Sequence, residues 1–128
     1  MSLFKRLFSS NLPTPQPVFD WINLTDLQQI EEIITDSYER TVVIFKHSTR
    51  CSISRFALSR FERDFLFTKE EMLPFYLDLL SFREISNELA NRFDVEHQSP
   101  QIIVVKNGKA IYAVSHENIN ATLLGRFV

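Results

Sequence analysis

The chain has 128 residues, of which 45% are hydrophobic and 23% charged, a length and composition that bury one core without help from metal or disulfides. Its formal net charge of -2 offers no basic stripe to nucleic-acid phosphates, so that class of partner is excluded. A single cysteine cannot staple a secreted scaffold and fits a reducing compartment, so a cytoplasmic location is expected, and no apolar run approaches the roughly 18 residues of a membrane span.

Leu3, Phe4, Leu7 and Phe8 fall at helical spacing, but the long apolar region of a signal peptide is missing. Asn11 to Pro17 holds three prolines and reads as an extended connector, so residues 1–17 form a terminal segment and 18–128 the folded domain. Thr25 with Gln28 three residues later matches a capping box. Leu24, Leu27, Ile30, Ile34 and Tyr38 then recur at helical spacing, which predicts a first helix.

Thr41 to Lys46 is β-branched and aromatic and reads as a buried strand. From Cys51 the pattern turns helical, with Ile53, Phe56, Ala57, Phe61 and Phe65 assigned to the inward face. Leu73 to Leu79 reads as a second strand, its proline tolerated near the start. A third helix follows through Phe82, Ile85, Leu89 and Phe93. Gln101 to Lys106 and Lys109 to Ser115 flank Asn107-Gly108, the strongest short hairpin signal, and a last helix is expected from about Glu117, with Ile119, Leu123 and Phe127 on one face and Ser115 or His116 near its start.

Two strand-helix crossovers make a parallel half and the hairpin an antiparallel half. The expected class is α/β with a thioredoxin-like fold, a mixed four-stranded sheet flanked by helices.

The chemistry points to Cys51. Where a strand feeds a helix, the sulfur faces unpaired N–H groups and the positive end of the helix dipole, an environment that favours the thiolate, the nucleophile in thiol-disulfide exchange. Arg50 adds a cation beside it. Ser54 stands where a dithiol oxidoreductase carries its second cysteine, so an adduct on Cys51 must await a second thiol from outside. Ser99-Pro100 directly precedes a buried strand, where a cis bond is expected to bring backbone close to the nucleophile. His47 and Thr49 lie in or beside the same loop as Cys51, and His97 lies just before Ser99; the histidines are candidates for moving protons. The spacing of Cys51, His47, His97 and His116 matches no zinc pattern, so no metal and no bound cofactor is expected. A cysteine-histidine hydrolase would need a base and an orienting group that the sequence does not assemble.

Phe45-Lys-His-Ser-Thr-Arg-Cys-Ser-Ile-Ser54, His97-Gln-Ser-Pro-Gln101 and Lys106-Asn-Gly-Lys109 together resemble the YtxJ-like monothiol bacilliredoxins over about residues 18 to 128. The resemblance implies that Cys51 takes a low-molecular-weight thiol, bacillithiol as co-substrate, from oxidised proteins carrying it as a mixed disulfide. Ser54 then marks the monothiol form and Pro100 is the substrate-side proline. Arg50 and Ser52 replace the uncharged residue and the Pro, Gly or Ala that often flank the family cysteine. The Cys-Gly-Phe-Ser string of cluster-bridging glutaredoxins is missing. A non-catalytic binding module that uses the groove near Pro100, and a redox sensor, are the competing readings.

Overall fold

The computed structural model describes residues 18–128; the terminal segment and proline connector expected at 1–17 lie outside the described residues. The sheet is built on its central strand β2 (Thr41–His47), every residue of which is buried. Such a strand needs apolar side chains on both faces, which Val42, Val43, Ile44 and Phe45 supply. On one side β2 pairs in parallel with β3 (Met72–Asp78), and β3 in parallel with β1 (Ile22–Asn23). On the other it runs antiparallel to β4 (Gln101–Lys106), which forms a hairpin with β5 (Lys109–Ser115).

The strand order is β1-β3-β2-β4-β5, so the sheet has five strands where four were expected. The extra strand is two residues long and pairs only with Phe75 and Tyr76 of β3, too short for any periodic signal. The hairpin turns at Asn107 and Gly108, whose φ angles of 52° and 78° are both positive, as a tight hairpin loop of this kind requires.

Among the described residues three α-helices cover the sheet: α1 (Gln29–Asp36), α2 (Ser52–Asp64) and α3 (Arg83–Phe93). The capping box at Thr25 does not form. The chain turns through Asp26, whose Oδ1 accepts from the Gln28 amide, while Gln29 Oε1 accepts from the amides of Thr25 and Asp26. The last helix is instead two 3₁₀ segments, His116–Asn118 and Ala121–Phe127. Neither Ser115 nor His116 caps it by a side chain; Asn120 accepts from the Thr122 amide at the start of the second piece.

Alternation along β2 divides the core. Val42 and Ile44 face an aliphatic layer with Ile30, Ile33, Ile85 and Leu89 from α1 and α3. Val43 and Phe45 face an aromatic layer with Phe61 from α2 and Phe65 just beyond its end, against which Phe19, Trp21 and Phe67 pack. The inward face of α2 differs from the expected one: Ile53 and Phe56 are 60% and 69% exposed, and Ser54, Ala57 and Phe61 are buried. Likewise Leu27, Tyr38 and Leu123 are exposed, and Ile33 and Leu124 take the core positions.

Candidate active site

Cys51 is the N-cap residue of α2, with extended backbone at φ -106° and ψ 122°. Its carbonyl accepts the first helical hydrogen bond, from Arg55, at 3.0 Å, and its amide closes a turn onto the Ser48 carbonyl at 3.1 Å. The thiol is free and half-buried. No acidic residue occupies the first turn of α2, so the charges next to the sulfur in sequence are cationic, from Arg50 and Arg55. Thr49 and Arg50 are exposed on the same turn.

Ser54 points inward. It is 0% exposed, its Oγ accepts from the Ser48 amide at 3.0 Å, and it lies 2.7 Å from His47 Nδ1. The hydroxyl therefore pins the end of β2 to the first turn of α2 and shapes the loop that presents Cys51. His47 is itself buried, which pushes its pKa down and keeps the ring neutral, helped by Arg55 and opposed by Asp78. Asp78 is its register partner on β3. One carboxylate oxygen of Asp78 accepts from the Ser81 hydroxyl at 2.9 Å, and the other is buried with no partner among the described residues.

The Ser99–Pro100 peptide bond is cis and leads directly into β4, whose first residue, Gln101, pairs with Lys46 of β2. The approach to that bond is tied down by side chains. Gln101 Nε2 donates to the Glu96 carbonyl at 2.9 Å. The Ser99 hydroxyl is buried and has no partner among the described residues.

His97 does not join His47. Its ring lies on the opposite side of the sheet, where Nδ1 is 2.6 Å from Lys46 Nζ. The structure thus separates the two candidate histidines and adds three residues that the sequence did not single out. Lys46, Asp78 and Gln101 read only as members of their strands; the available signal was a lysine closing an otherwise apolar run. No group of three His, Cys, Asp or Glu side chains stands ready for a metal among the described residues. No helix of the described residues is long and apolar enough to cross a membrane.

A cleft of about 480 Å³ lies at the other end of the sheet, between Arg40, Glu70, Glu71 and Lys106. That cleft contains no cysteine, and its charges are mixed.

A central strand leading into a helix-capping cysteine, with a cis-proline entering the neighbouring antiparallel strand, defines a thioredoxin-fold thiol oxidoreductase. The likeness extends to solved structures. One described as having a thioredoxin fold is 30% identical, covers 82% of this chain and 90% of the other, and superposes with a TM-score of 0.70. Thioredoxin from Malassezia sympodialis, 17% identical, matches 89% of this chain and 92% of its own at a TM-score of 0.65. Mitochondrial thioredoxin 3 from Saccharomyces cerevisiae, in its oxidised form, is also 17% identical and matches 83% and 91% at 0.63. These two show the fold. The model of the monothiol bacilliredoxin family BrxC matches residues 22–124, and the chain belongs to that family.

Proposed function

We propose that this protein removes a low-molecular-weight thiol, bacillithiol or a close analogue, from mixed disulfides on oxidised cytoplasmic proteins. The observation that carries the reading is Cys51, half-buried at the head of α2 with a buried, hydrogen-bonded Ser54 in place of a resolving cysteine. The Cys51 thiolate attacks the small-thiol sulfur of the mixed disulfide. A Cys51–small-thiol disulfide forms, and the protein's sulfur leaves as a thiolate that takes a proton from water. A second small thiol then attacks the adduct, releases a symmetrical disulfide and returns Cys51 to its reduced state. Family membership and fold support the thiol exchange. The identity of the small thiol rests on the family alone.

The test is direct. Incubated with a bacillithiolated protein, the reduced chain should gain the bacillithiol mass on Cys51 while the substrate loses it, and Cys51→Ser should do neither. Transfer by Cys51→Ser, or none by the native chain, overturns the reading.

A further inference from the structure

Lys46 is out of place by every ordinary rule. It is 0% exposed, on the face of β2 whose other members, Val42 and Ile44, belong to the aliphatic layer. Burial of an ammonium is costly unless a partner compensates, and here it pushes the lysine pKa down to about 8. Among the described residues no carboxylate forms an ion pair with it. Its neighbours across the sheet are neutral, Leu77 on β3 and Gln101 on β4. From α3 come the Ser86 hydroxyl, 3.5 Å from His97 Nδ1, and Arg83, a second cation acting on His97.

What compensates the ammonium is His97. An ammonium has three donors and no acceptor, so Lys46 Nζ donates to His97 Nδ1 over the 2.6 Å contact, and the neutral ring keeps its own proton on Nε2. The position of this bond matters. Lys46 and Gln101 are the last pair of the β2–β4 ladder toward the active-site end. Beyond them no backbone hydrogen bond joins the loop to β2: the Pro100 carbonyl accepts from the His116 amide at 3.0 Å, and the segment that carries His97 and Ser99 is joined to β2 by this side chain. Gln101 braces the same loop from within, through the Glu96 carbonyl and a longer contact from the Gln98 amide at 3.4 Å.

We propose that Lys46 is a positioning residue for exchange at Cys51: through His97 its buried ammonium fixes the loop that offers the Ser99–Pro100 backbone to the oxidised protein substrate. The inference rests on the reading given under Proposed function. Lys46 touches neither sulfur, so its effect falls on how a protein is held and not on the attack itself.

The experiment compares a bacillithiolated protein with dithiodipyridine, a small disulfide that needs no backbone docking. Lys46→Met and His97→Ala should each raise KM for the protein about tenfold, the scale of a slightly misplaced binding element, and the double variant should be no worse than the poorer single. His97→Asn keeps an acceptor near the position of Nδ1 and should recover to within about twofold. Attack on dithiodipyridine should change less than about twofold throughout, since its rate depends on the thiol. In Lys46→Met, amide exchange at residues 97–99 should quicken while β4 stays protected. Native KM in Lys46→Met, equal losses on both disulfides, or additive losses in the double variant each overturn the proposal. Should the native chain take no bacillithiol at all, the functional reading fails separately. Faster exchange at 97–99 would then still uphold the clamp, and unchanged exchange would overturn it.

Discussion

Lys46 and His47 are neighbours at the end of one buried strand, and they bury polarity in opposite ways. Lys46 carries its charge to the aliphatic side, where a single imidazole receives it. His47 turns to the aromatic side, stays neutral, and is met by the Ser54 hydroxyl with Asp78 alongside. The charged solution reaches toward a loop and the neutral one toward a helix. Between them they fix the two backbone segments, the cysteine turn and the proline turn, that any exchange at Cys51 must use.

The comparison is most sharply broken on the aromatic side. Phe61 is 1% exposed and packs against Phe45 and Trp21 at ring separations of 5.4 and 5.7 Å. Phe61→Ala should cost about 3–5 kcal/mol of stability in a guanidinium titration. Ser54→Ala acts on the neutral tie alone. It strips the Ser48 amide and His47 Nδ1 of a buried partner, and should cost about 1–3 kcal/mol by the same measurement.

Lys46→Met tests the charged tie and should move in the other direction. At neutral pH the lysine is protonated both folded and unfolded, so the native state bears the burial cost that the His97 bond does not offset, and methionine should be more stable by about 1–2 kcal/mol. The folded pKa lies near 8 against the ordinary 10.5. As pH rises through that interval the native chain gives up the proton while the unfolded chain still holds it, so native stability climbs and the variant's advantage shrinks. An advantage that stays constant from pH 7 to 10.5 would show that the charge is not what burial penalises. The smallest effect belongs to Phe56→Ser, which should fall within about 0.5 kcal/mol of the native chain because the ring is 69% exposed.

Much of this was legible in the sequence. Strands β2 to β5 declared themselves through β-branched runs and the Asn107-Gly108 turn, and the βα junction located Cys51. The rest depended on partners distant in sequence. Ile22 and Asn23 become a strand only because Phe75 and Tyr76 lie beside them. Ser54 enters the core at the expense of Ile53 because two hydrogen bonds satisfy its hydroxyl, which no hydropathy pattern registers. The final segment is split into two 3₁₀ pieces where Ile119 and Asn120 take extended backbone. Lys46 read as the last residue of a buried strand, and nothing local announces that His97, fifty-one residues on, will receive its ammonium.

Trp21 is the only tryptophan of the chain. Its indole lies nearly parallel to the Phe61 ring, at 18°, and donates to Glu62 Oε2 at 2.6 Å. Both contacts are made to the helix that begins next to Cys51. The protein therefore carries a built-in optical gauge: ultraviolet emission from one native chromophore follows the seating of that helix, with no label attached.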